Sequence, residues 1–224
     1  MAHKYQLDQL LEAVVCRLKC SFPTRLDVWD RSGGFDPTRS PLRLHHIHSI
    51  EALNLFRLLD KPEMVPMALY GCSQLAPSAL VRGARRADRA ASLERLSPDD
   101  LELCLVAKER LTRATVRLLS RLCGALEARI LDAAGDGRCP SPFICTVGLK
   151  AWLDEWQRFP DEYMDGDPLD DYYVAKFDGA VDDETLCGAC VDAVKERLSE
   201  LRHGVWTDLP DLLGLIEVAG WNSP

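Results

Sequence analysis

The chain has 224 residues, 47% of them hydrophobic, with a net charge of -8 and a pI near 5.2. That is enough apolar mass to bury a core without disulfides, and the acidic balance disfavours nucleic acid or an anionic membrane as the main partner. No apolar run approaches the roughly 20 residues of a membrane span, and the opening segment, broken by Asp8, Glu12 and Arg17, reads against a signal peptide. Nine cysteines, several scattered through apolar stretches, fit a reducing intracellular compartment, cytoplasm or nucleus.

Residues 3–20 place Leu7, Leu10, Leu11, Val14, Val15 and Leu18 at three- and four-residue spacing, the period of a helix with one buried face, and Pro23 ends it. After a short Leu26-Val28-Trp29 segment, Ser32-Gly33-Gly34 with Pro37 and Pro41 mark residues 30–42 as a loop. Ser49 is placed to cap a helix through Ile50, Leu53, Leu55, Phe56, Leu58 and Leu59. Lys61-Pro62 starts the next, which carries Met64, Met67, Ala68, Leu69 and Leu75. Ser97-Pro98-Asp99-Asp100 joins a capping serine, a proline at the first helical position and acids at the positive end of the dipole. The helix it starts runs through Leu101, Leu105, Leu111, Leu118, Leu122 and Leu126 to about Leu131. Gly135, Gly137, Pro140 and Pro142 then make a loop. A last long helix runs from Leu186 through Val191, Val194, Leu198 and Leu201 to a stop at Gly204. Two-residue alternation is confined to scraps such as Asp171-Tyr172-Tyr173-Val174. The expected class is therefore mainly α, an irregular multi-helix bundle with long loops and no substantial sheet.

The chemistry concentrates in four cysteines. Cys139 and Cys145 have five residues between them, and Cys187 and Cys190 follow after 41 more. Zinc held by thiolates needs tetrahedral convergence, which a pair separated by two residues supplies at the first turn of a helix, where the dipole also favours thiolate. Cys139, Cys145, Cys187 and Cys190 are thus the candidate ligands of one structural zinc, the first pair lying in the proline-rich loop. The alternative is four free thiols with Cys145 and Cys190 as small core residues. A redox dithiol at Cys187 and Cys190 lacks the βαβ surroundings such motifs have.

Other constellations have plainer readings. His45, His46 and His48 lack the glutamate of an H-E-x-x-H arrangement and read as a loop cluster. Arg110, Arg113, Arg117 and Arg121 form a stripe on the long helix. From Arg82 to Arg129 there are eleven basic and seven acidic residues, against two basic and twelve acidic from Asp154 to Glu184. A solvated face near the protein's own acidic segment explains both, and the stripe lacks the interleaved aromatics that stack bases. Counted from Asp165, a calcium loop needs glycine at position six and glutamate at twelve, where this chain has Asp170 and Lys176.

Ala2-His3-Lys4-Tyr5 and the helix after it resemble the end of a BTB/POZ domain. Phe22-Pro23, Leu26, Trp29-Asp30, Leu55-Phe56-Arg57-Leu58-Leu59-Asp60 with Pro62, Ala68-Leu69-Tyr70, Leu96-Ser97-Pro98-Asp99-Asp100-Leu101, Leu186-Cys187-Gly188-Ala189-Cys190 and Trp206-Thr207-Asp208-Leu209-Pro210 continue the resemblance. Together they are similar to the region that follows the BTB domain in fungal, mostly mushroom-type, BTB-domain proteins. Arg86-Ala87-Asp88-Arg89 stands where that family commonly has Arg-x-Asp-Gly, and the BTB sheet itself is missing. The resemblance implies residues 1–30 as a remnant of the last BTB-like helices, 31–132 as a helical domain and 133–224 as a cysteine-containing helical part, either separate or packed with the preceding region as one domain. It also implies a non-enzymatic intracellular interaction or scaffold protein with an unknown protein partner and no catalytic residues. The rival expectation is a hydrolase or transferase using the histidine cluster or the acidic loop. The stripe on residues 3–20 is expected to pack on the helices around Phe56 and Leu59, leaving a monomer that engages neither nucleic acid nor membrane.

Overall fold

A computed structural model describes residues 2–39, 42–85, 92–132, 139–159, 166–170 and 185–222, with the side chains of residues 2–7 and 131–132 excepted. The chain is mainly α-helical. Helix α1 spans Ala2–Ser21 and α2 Leu26–Ser32. A 3-10 turn at His46–His48 leads into α3, Ser49–Leu58, and another at Pro62–Met64 leads into α4, Val65–Ser73. Then come α5, Pro77–Arg82, the long α6, Pro98–Asp132, α7, Pro142–Arg158, α8, Gly188–Thr207, and α9, Leu209–Leu212. The strands among the described residues are β1, Ala84–Arg85, and β2, Leu93–Glu94, paired antiparallel. Two residues a strand are too short to show alternation in the sequence. The Asp171–Val174 scrap, the Arg86–Arg89 block and most of the acidic run lie outside the described residues.

The helix starts follow local chemistry, with instructive exceptions. Ser97 Oγ accepts the Asp100 backbone N–H at 3.1 Å, and α6 begins at Pro98 as its capping signal requires. Buried Asp100 also takes the Arg57 guanidinium at 2.7 Å, tying α3 to the start of α6. Ser49, in contrast, caps nothing. The preceding turn carries the chain into α3 through a reciprocal bond set between His45 and His48, and the Ser49 hydroxyl is buried with no hydrogen-bond partner. Gly204 is no stop either, since α8 runs on to Thr207 and buries Trp206 completely. The burial of that indole outweighs the weak helix preference of one glycine.

The chain divides into two compact units, one of Met1–Lys108 with Leu209–Pro224, the other of Glu109–Asp208. In the first, Phe22 meets Phe35 and Phe56 edge-on at 5.8 and 5.0 Å, and Trp29 meets Phe35 and Tyr70 at 5.1 and 6.0 Å. Helix α4 is buried on every side, as its apolar composition demands. In the second, Leu118, Leu119, Leu122 and Leu126 of α6 pack with Leu149 and Trp156 of α7 and with Val191, Val194, Leu198 and Leu201 of α8.

The stripe on α1 is not covered as expected. Leu10, Leu11 and Val14 are 62%, 43% and 42% exposed, while Val15 is buried and Leu18 half-buried. Phe22, held between Phe35 and Phe56, anchors the C-terminal end of α1 and turns the neighbouring Val15 face inward.

Candidate metal centre

The site is assembled by two helix starts. Pro142 is not part of a loop. It occupies the first turn of α7, which places Cys145 in that turn while Cys139 stays in the irregular segment ahead of it. The second pair repeats the design, with Cys187 as the N-cap of α8 and Cys190 one turn in, its N–H bonded to the Cys187 carbonyl at 3.0 Å. Cys145, Cys187 and Cys190 therefore sit at helix N-termini, where the dipole favours thiolate over thiol.

Close approach of the two pairs depends on Gly148. A Cβ there would overlap the Thr185 carbonyl oxygen and crowd Leu186, so only glycine lets α7 reach the segment that delivers Cys187.

The four sulfur atoms lie within 4.8 Å of one another. Cys139 Sγ and Cys187 Sγ are 3.7 Å apart, and the edge of a tetrahedron with zinc–sulfur bonds of 2.3 Å is about 3.8 Å. Two further donors reach the sulfurs: the Cys187 backbone N–H donates to Cys145 Sγ at 3.2 Å, and Arg129 Nη2 of α6 to Cys190 Sγ at 3.7 Å. Such outer contacts orient ligands and offset the surplus negative charge of a four-thiolate site.

The thiols are electrostatically unequal. Burial pushes the Cys187 thiol up, but hydrogen bonds from the Cys190 backbone and the three other cysteines outweigh it and hold its pKa below the ordinary value. Burial, with hydrogen bonds to Cys187 and Cys139, pushes Cys190 up to about 12 against the pull of Arg129. Burial likewise raises Cys145, with the Cys187 backbone N–H opposing it. A divalent cation displaces the thiol protons, because thiolate is the ligand form. The donor set fits zinc: four soft sulfurs, tetrahedral spacing and a mostly buried position.

The histidines do not join this centre. His48 Nδ1 accepts the His45 backbone N–H at 2.9 Å, a local capping role. His46 packs on Phe35 with ring centroids 4.9 Å apart, and burial lowers its pKa, partly opposed by a hydrogen bond with the Gly71 backbone. A groove of about 460 Å³ brings His48 together with Glu51, Asn54 and Glu94 among leucines. There the Asn54 amide already donates to Glu94 at 2.8 Å. Arg110, Arg113, Arg117 and Arg121 are all exposed, and Arg113 pairs with Glu109 one turn away. No described helix is long and apolar enough to cross a membrane. No protein-family model, curated protein or solved structure matches the chain.

The sequence signals missed were α7 and Arg129. Ser141-Pro142 had the form of a helix start, but the neighbouring Pro140 and glycines made it read as loop. Arg129 carries no signal, since its partner is 61 residues away.

Proposed function

We propose that this chain is a non-enzymatic intracellular interaction or scaffold protein, of the type found after BTB domains in fungal proteins, with one structural zinc held by Cys139, Cys145, Cys187 and Cys190. The observation that carries the reading is the convergence of four sulfur donors within 4.8 Å. Zinc with four protein ligands has no open position for water or substrate, whereas catalytic zinc keeps one. Exposed apolar side chains on α1 and on α7, where Phe143, Ile144 and Val147 face outward, support binding of protein surfaces. The bonding of His45 and His48 to one another supports a structural role for the histidine cluster.

The test begins with elemental analysis of protein purified without chelator, with one zinc per chain expected. Zinc below about a tenth of that, in protein that remains folded, sinks the metal assignment. Affinity purification from the source cells, comparing wild type with Cys187→Ser, then addresses function: a defined set of partners lost with the metal supports the scaffold reading. The enzyme reading rests on the groove that holds His48 with Glu51 and Glu94. Hydrolase or transferase activity in a general substrate screen, abolished by His48→Ala with the zinc content unchanged, would replace the scaffold by an enzyme.

A further inference from the structure

The four cysteines of the candidate centre do not face solvent equally. Cys145 and Cys190 are fully buried and Cys139 is 6% exposed, whereas Cys187 is half-buried. A side chain at Gly188 would meet nothing within 4 Å, so the approach to the start of α8 is open beside Cys187. Oxidation of a cysteine follows thiolate character and access, and an oxidant arriving from water therefore meets Cys187 first.

The sulfur best placed to answer that attack belongs to Cys139. Its Sγ lies 3.7 Å from the Cys187 Sγ, and a disulfide needs about 2.05 Å. Cys139 can close that gap because it precedes α7 and lies outside any helix. Cys145 and Cys190 are held in the first turns of α7 and α8, the Cys145 N–H bonded to the Ser141 carbonyl and the Cys190 N–H to the Cys187 carbonyl, each at 3.0 Å. Drawing either of them onto Cys187 would disturb a helix start, whereas Cys139 moves with irregular chain.

We propose, resting on the zinc reading above, that Cys187 and Cys139 are a peroxide-sensitive pair whose disulfide opens the metal site. Ligation to the ion keeps both sulfurs as thiolates. The Cys187 thiolate attacks one oxygen of hydrogen peroxide, the O–O bond breaks and hydroxide leaves, so that Cys187 becomes a sulfenic acid. The Cys139 thiolate then attacks the Cys187 sulfur. The S–S bond forms, the S–O bond breaks and a second hydroxide leaves. Two thiolates have given up two electrons, and one peroxide has been reduced to two hydroxides. Cys145 and Cys190 alone are half of a closed tetrahedral set, and the ion is released.

The test treats the zinc-loaded full chain with hydrogen peroxide, follows released zinc with a metal-binding dye and maps the cysteines by mass spectrometry. Trypsin leaves Cys139 with Cys145 on one peptide and Cys187 with Cys190 on another. The expected product is the two peptides joined, with fragmentation placing the bond between Cys139 and Cys187 and about one zinc released for each bond formed. A thiol reductant with added zinc should restore the starting state. Cys139→His keeps a fourth ligand of a kind that zinc accepts but removes the second sulfur. It should hold zinc, release it roughly tenfold more slowly under peroxide and carry a sulfenic acid at Cys187 that dimedone traps. Where that variant fails to fold, the wild-type map decides alone. A bond between Cys187 and Cys190, a bond that uses Cys145, or zinc release with no disulfide overturns the proposal. A chain that carries no zinc at the outset overturns the metal reading and this proposal with it, whereas a zinc-loaded chain in which peroxide forms no bond between Cys139 and Cys187 overturns this proposal alone.

Discussion

In the first unit the deepest side chains are aromatic and apolar, with Phe22, Phe56 and Tyr70 essentially without exposed surface. In the second unit, equal burial is given to Cys145 and Cys190, set among leucines and valines. The two cores answer to different conditions. Aromatic and aliphatic packing depends on shape and dispersion and needs no cofactor. A cluster of thiols is a weak hydrophobic core by itself; on the proposed zinc reading, a cation would convert it to thiolates and tie α7 and α8 to the segments ahead of them. The comparison predicts two units that fail separately, each under its own stress.

The largest effect is expected from metal removal. Structural zinc sites contribute on the order of 10 kcal/mol, so chelation or Cys187→Ser should unfold much of the second unit. Hydrogen-exchange mass spectrometry reads the contrast directly: Leu118–Leu126 and Val191–Leu201 should lose protection while Met64–Ser73 keeps it. Equal loss in both regions would show that the units are not independent.

The converse experiment truncates the aromatic core. Phe56→Ala removes a fully buried ring that meets Phe22 at 5.0 Å, with an expected cost of about 3–5 kcal/mol to the first unit. Zinc stoichiometry should be unchanged, and denaturant melts with metal analysis at each step would show whether it is.

Gly148→Ala sharpens the account of the second unit because it touches no sulfur. The new methyl overlaps the Thr185 carbonyl and pushes α7 from the segment leading to Cys187. A loss of about 1–3 kcal/mol in folding stability and faster transfer of zinc to a competing chelator are expected. A variant as stable and as slow to release metal as wild type would mean that the close approach is not needed.

The smallest effect is a pH response in the first unit. Burial lowers the pKa of His46, aided by the nearby His45 and opposed by a hydrogen bond with the Gly71 backbone. The unfolded chain takes up this proton near pH 6.5, and the folded chain resists until lower pH. Below about pH 6.5 the unfolded state therefore binds more protons, so the His46 contribution is complete above that pH and declines as the pH falls. The slope is at most about 1.4 kcal/mol per pH unit. Urea melts at pH 7.5 and 5.5 should differ for wild type, and by less for His46→Gln.

Much of this architecture is local in origin, and that part is legible in the chain. Ser97-Pro98-Asp99-Asp100 starts α6 where its own side chains satisfy the first N–H groups, and Cys187 and Cys190 sit at a helix start because two residues between ligands suit one turn. The helix α7 was hidden for an equally local reason: proline serves both as a breaker and as a first helical residue, and Pro140 beside Pro142 made the first meaning outweigh the second. The boundary between the two compact units falls inside α6, between Lys108 and Glu109, where helical periodicity continues without interruption and leaves no local mark.

By itself the sequence determined the helical class, most helix starts and the two cysteine pairs, because these depend on side chains within one or two turns of each other. Only the tertiary structure decided that the pairs meet, that Arg129 reaches Cys190, that buried Trp206 carries α8 past Gly204, and that α1 is held by Val15 with Leu11 and Val14 left outward. Each of these joins residues far apart in the chain or selects one helix face over its neighbour. Such choices are made by packing, and periodicity along a single helix contains no record of which surface the rest of the chain will cover.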